Sequence, residues 1–109
     1  MLEPLLGSKN KERILVYLRI RKEGYAREIS RFFKTDLAPV QKQLQRLESG
    51  GVLYSRSVGR TRLYGLNPRF PFLNELRSLL DKALVFYPSE EKEKLTMIRT
   101  RPRRRGKPL

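Results

Sequence analysis

The sequence predicts a mainly α-helical chain with one small β-hairpin, an α+β class, and three observations carry that prediction. Apolar residues recur at helical spacing in the segments before residue 50. Two β-favouring runs then flank the turn Val58-Gly59-Arg60-Thr61, the pattern of a hairpin. After a proline-rich break, a broader helical stripe begins at Phe72. With 109 residues the chain supports one small domain plus appendages.

Ser8 suits the N-cap of a helix over residues 9–21. Ile14, Leu15 and Leu18 make its apolar face, with Tyr17 beside them, and Gly24 is expected to end it. A second helix is expected over 26–33, with Ile29, Phe32 and Phe33 turned inward. Lys34-Thr35-Asp36 makes the turn that follows. Pro39 suits the first position of a third helix, where the amide it lacks would have no partner, with Ala38 or Asp36 at the boundary. Leu37, Val40, Leu44 and Leu47 fall on one side of that helix. At about 100° per residue the other side carries Ala38, Lys42, Gln45, Arg46 and Ser49, with Gln41 adjoining. Gly50-Gly51 stops the helix, and Val52-Leu53-Tyr54 and Leu63-Tyr64 supply the hairpin strands.

Asn67-Pro68-Arg69-Phe70-Pro71 separates this unit from a helix over 72–86. Leu73, Leu76, Leu80, Ala83 and Leu84 form its stripe, and Phe72, Leu79 and Phe86 widen it. The arc is about 160°, against about 100° for an ordinary core-facing helix. So small a domain has little surface with which to cover that arc, which predicts that these eight residues pair two subunits. Ser89 is then expected to cap a short charged helix to about Ile98, with Glu90, Glu91 and Glu93 facing solvent. The expected organisation is a hairpin-bearing domain over 1–67, a pairing helix over 68–87, a charged helix over 88–98 and a basic tail over 99–109. Rich in proline and arginine, the tail should be disordered when free.

Charge and missing residue types narrow the function. The net charge is +14, and six of the positive charges (Arg99, Arg101, Arg103, Arg104, Arg105 and Lys107) lie in the tail. Without them residues 1–98 still carry a surplus of eight. Residues 49–74 contain no acid at all, while Arg56, Arg60, Arg62 and Arg69 fall inside that window. Such a surplus favours polyanions. Nucleic acid leads, with an anionic membrane surface or an acidic protein as the other partners of that charge class. Cysteine and histidine are both absent, so disulfides and thiolate or imidazole metal sites are excluded, and no cofactor is expected. No run reaches the roughly 18 apolar residues of a membrane span, and the start has no basic leader, so a cytoplasmic protein is expected. The carboxylates around Glu91 lack a companion base, nucleophile or metal ligand, which argues against an enzyme.

An α-helix fits the major groove of B-DNA, where its outer side chains meet base edges. Gln41 and Gln45 can pair with adenine and Lys42 with guanine; Arg46 is better placed for a phosphate. A glycine turn carrying Arg56, Arg60 and Arg62 gives a narrow positive tip suited to a phosphate backbone or a minor groove. Charged strands also protect sheet edges from unwanted pairing, and the two roles are compatible. The tail, with Arg101, Arg103, Arg104, Arg105 and Lys107, could track neighbouring phosphates without reading sequence.

The order of elements, with Ala26-Arg27-Glu28-Ile29 opening one helix and Pro39-Val40-Gln41-Lys42-Gln43-Leu44 in the next, resembles a winged helix-turn-helix. Leu47-Glu48-Ser49-Gly50-Gly51-Val52-Leu53 and Gly59-Arg60-Thr61-Arg62-Leu63-Tyr64 match the join and the wing of that fold. The branch it resembles is the ArsR-like prokaryotic transcriptional regulators, over roughly residues 5–84. The resemblance implies a recognition helix beginning near Pro39, with Ala38, Gln41, Lys42 and Gln45 toward the bases and Pro39 and Arg46 toward the backbone. It places Gly59, Arg60 and Thr61 at the wing tip and makes the helix after Phe72 the dimer contact. The metal sensors of that family use cysteine and histidine ligands, so metal-responsive derepression is not expected here. The expectation is a homodimeric, sequence-preferring binder of double-stranded DNA acting as a repressor. Two rivals use the same features: sequence-indifferent binding of DNA or RNA, and a winged-helix adaptor whose apolar helix docks an unidentified protein.

Overall fold

The computed structural model describes residues 1–100, with side chains through Thr96. Helix α1 (Glu3–Leu6) is a single turn closed by Gly7, too short for any apolar periodicity to announce it. Helix α2 (Lys9–Arg21) follows, capped by Ser8, whose hydroxyl accepts from the Lys11 amide at 3.2 Å. Ile14, Leu15, Val16, Tyr17 and Leu18 are all buried, so α2 is the enclosed centre of the domain rather than a helix with one apolar face.

The expected span of α2 holds, but the residue that ends it is corrected. Lys22, at φ +73, terminates the helix, and its amide bonds to the Leu18 carbonyl at 2.9 Å. Gly24 instead lies in a three-residue strand, β1 (Glu23–Tyr25). A Cβ on Gly24 would sit 2.7 Å from Cε1 of Tyr17, so the strand can lie on α2 only with glycine there. That ring is fixed by an edge contact to Phe32 at 5.6 Å and by the Arg21 guanidinium stacked at 4.5 Å. Burial accordingly pushes the Tyr17 hydroxyl up to about 12.

Helix α3 (Ala26–Phe32) starts where the Glu28 carboxylate accepts from the Tyr25 amide at 3.0 Å. Lys34, at φ +54, turns the chain into α4 (Leu37–Ser49). The boundary residue is Asp36, so Pro39 is the third residue of α4 and not the first. The reason for tolerating it is unchanged, since amides of the first turn have no intrahelical partner. Strands β2 (Leu53–Val58) and β3 (Thr61–Leu66) form the predicted hairpin, with Val58 opposite Thr61. The sheet order is β1-β3-β2, all antiparallel, with Tyr25 opposite Leu63.

Helices α5 (Leu73–Val85) and α6 (Ser89–Thr100) complete the fold. Ser89 is the first residue of α6 rather than its cap; the Pro88 carbonyl accepts from the Glu91 and Lys92 amides at 3.0 and 3.2 Å. The helix extends past Ile98 to include Arg99 and Thr100. It is also no mere surface appendage, because Leu95 is 1% exposed and belongs to the core around α2. Arg19 of α2 holds Asp81 of α5 in a two-pronged ion pair at 2.8 and 2.9 Å. Below it the buried Glu12 accepts from the Leu2 amide at 2.8 Å and the Tyr87 hydroxyl at 2.5 Å.

Candidate nucleic-acid interface

Helix α4 supplies one wall of the candidate interface. Val40, Leu44 and Leu47 turn into the core, which leaves Ala38, Pro39, Gln41, Lys42, Gln45 and Arg46 exposed. The hairpin places its tip at Gly59 and Arg60. Gly59 takes φ +61, which glycine adopts without steric cost, and the Thr61 hydroxyl closes the turn by donating to the Val58 carbonyl at 2.9 Å.

Gln41 and Gln45, one helical turn apart, line a groove of about 310 Å³ together with Arg60, Thr61 and Arg62 of the hairpin. Tyr25, Ala26, Arg27, Leu37 and Tyr64 complete its walls. None of these ten residues is acidic and three are arginines. Sequence reasoning did not single out Tyr25, Arg27 or Tyr64 as site residues. Arg27 had a readable signal, since it stands two residues before the inward Ile29 on a short helix. Tyr64 did not, because its position depends on cross-strand pairing with Ser55. Its hydroxyl is raised by burial and by the Glu48 carboxylate, with Arg62 opposing.

The three hairpin arginines divide. Arg62 is opposite Ser57 in the hairpin and lies along β2, its Nε donating to Ser55 Oγ at 3.0 Å and one terminal nitrogen to Ser57 Oγ at 3.2 Å. Arg56 projects from the other side of β2, as alternation along a strand requires. There it approaches Glu23 of β1 at 3.5 Å, beside the Tyr54 hydroxyl, which donates to the same carboxylate. Arg56 is absent from the groove walls, so its expected membership of one cluster with Arg60 and Arg62 is corrected. Ala38, Pro39, Lys42, Arg46 and Gly59 are exposed near the groove without lining it.

The expected subunit-pairing helix also needs correction. Leu73, Leu80 and Ala83 are buried within the chain itself, and Leu76 and Leu84 pack against that same core. The α6 helix packs on α2, and its Leu95 joins the same core. Leu79 is half-buried, and Phe72 and Phe86, each 64% exposed, stand out with Val85 as the uncovered large apolar residues of this segment. Arg101, Arg103, Arg104, Arg105 and Lys107 lie outside the described residues.

A second cavity, of about 510 Å³, shares no residue with the groove. Phe32, Phe33 and Tyr87 wall it, and its charges are mixed, with Lys9 and Arg13 near Glu12 and Glu91. Its buried carboxylate is already bonded to Leu2 and Tyr87, so the larger cavity is not where the groove-forming side chains converge. Among the described residues, no cluster of acidic side chains could hold a metal ion, and no helix is long and apolar enough to cross a membrane.

No protein-family model and no curated protein matches the chain. A solved structure does: ZitR of Lactococcus lactis, a mutant in the apo form, is similar over 89% of this chain and 82% of ZitR, with a TM-score of 0.55. The fold is a winged helix. At 18% identity the similarity is one of architecture, namely α+β, with α3 and α4 as the helix pair and β2–β3 as the wing.

Proposed function

We propose that this chain is a sequence-preferring binder of double-stranded DNA that works as a homodimeric, ArsR-like transcriptional regulator, a repressor that senses no metal. The observation that carries the reading is the acid-free groove, in which Gln41 and Gln45 of α4 share walls with Arg60 and Arg62 of the wing. A helix seated in a major groove would present the glutamines to base edges. The wing arginines would then meet phosphates or the neighbouring minor groove, displacing condensed counterions. Exposed Phe72, Val85 and Phe86 offer apolar surface for a second copy, and the basic tail would add phosphate contacts without reading sequence.

Selection of bound duplexes from a random library tests this reading. The expected consensus has two mirrored halves whose centres lie about one helical turn apart. Gln41→Ala or Gln45→Ala should flatten one base position per half by about 1–3 kcal/mol. Profiles unchanged by both substitutions would remove base reading by α4. Equal affinity for random duplex, selected duplex and structured RNA would replace it with sequence-indifferent binding.

A further inference from the structure

Glu48 is the one acid within α4, close to the end of the proposed reading helix, where a negative charge should repel DNA. Its carboxylate is not idle. Oε2 of Glu48 accepts the Ser55 hydroxyl proton at 2.6 Å, and the Ser55 oxygen in turn accepts from Nε of Arg62 at 3.0 Å. Ser57 takes a second nitrogen of the same guanidinium at 3.2 Å. A continuous relay therefore runs from α4 through β2 to the wing arginine that lines the groove. Glu48 orients the serine hydroxyl so that its lone pair faces the arginine, and the guanidinium is held in place before any ligand arrives.

We propose that Glu48 is a positioning residue of the DNA-binding surface, raising affinity for duplex DNA by fixing Arg62 through Ser55. The proposal rests on the DNA-binding reading above. It predicts a sign opposite to simple electrostatics: truncating this acidic side chain, and with it the acceptor that holds Ser55, weakens binding. Ordering a flexible arginine before contact lowers what association must otherwise spend on immobilising it.

The test measures full-chain affinity for a selected duplex across a salt series, in variants whose folding is checked by thermal unfolding. Glu48→Ala should weaken binding about threefold to tenfold, the range for one hydrogen bond. Glu48→Gln, whose amide oxygen can still accept from Ser55, should stay within about twofold of the parent. Ser55→Ala breaks the relay independently and should reproduce the loss, even if Glu48→Ala proves unstable. On an Arg62→Ala background neither change should cost anything further, because coupled residues are not additive. Binding by Glu48→Ala as tight as the parent or tighter overturns the proposal, as does a full loss that persists without Arg62. If the parent binds no duplex while remaining folded, the underlying functional reading fails and this inference goes with it. Parent binding with an indifferent Glu48 defeats the inference alone.

Discussion

Arg56 and Arg60 are indistinguishable by composition, four residues apart on the same hairpin, yet their surroundings differ. Arg60 lines the groove, whereas Arg56 lies on the opposite side with its guanidinium 3.5 Å from Glu23. Replacing each by alanine should therefore separate them. One phosphate contact contributes about 0.9 to the slope of log affinity against log salt. Between 50 and 200 mM salt, a fourfold change, that slope corresponds to roughly a 3.5-fold change in affinity for each contact. Arg60→Ala should flatten the salt dependence by one such unit, so its deficit relative to the parent narrows about 3.5-fold across that interval. Arg56→Ala should leave the slope unaltered. Its stability should shift by no more than about 1 kcal/mol, because the Glu23 pair is 58% and 35% exposed. Fluorescence anisotropy with a labelled duplex at four salt concentrations reads both slopes. Equal flattening by the two variants would falsify the assignment of the two arginines to different sides of the wing.

Leu95→Ala should destabilise the fold by about 2–5 kcal/mol, read by urea unfolding, because the side chain is fully buried against α2; a change below about 0.5 kcal/mol would place α6 outside the core. Acid unfolding should depend on Glu12. Burial raises that carboxyl, but the Tyr87 hydroxyl, the Leu2 amide and the amino terminus together hold it below its ordinary 4.5. A group lowered in the folded state contributes stability above its unfolded value and loses it as pH falls through the folded one. Stability of the parent should thus fall as pH drops below about 4.5, and Glu12→Gln should flatten that limb in unfolding curves taken from pH 6 to 2.5.

Helix α4 and the wing were the most legible parts. Val40, Leu44 and Leu47 repeat at helical spacing, and Gly59 marks a turn between β-favouring runs, so local chemistry and final structure agree there. The obscured features depend on partners distant in sequence. Strand β1 has three residues and exists because it pairs with β3, some forty residues later. Arg56 and Arg62 differ in direction because one meets Glu23 and the other meets Ser55 and Ser57. The width of the α5 stripe suggested a second subunit, yet Leu73, Leu80 and Ala83 are buried in the chain's own core, and nothing in the charged segment after it announced that Leu95 would join that core. Five consecutive buried residues in α2 similarly reflect neighbours on every side, which a single-face pattern cannot express.

The middle position of β3 has a mechanical meaning. On one edge it carries β2, and on the other it is laced to Glu23–Tyr25, the short piece of chain joining α2 to α3. The two prongs that would straddle a duplex are thereby bolted to a common bracket. A torque applied at Gly59 would travel along main-chain bonds toward the root of α3, so a distorted duplex would press upon the whole clamp and not on a loose flap.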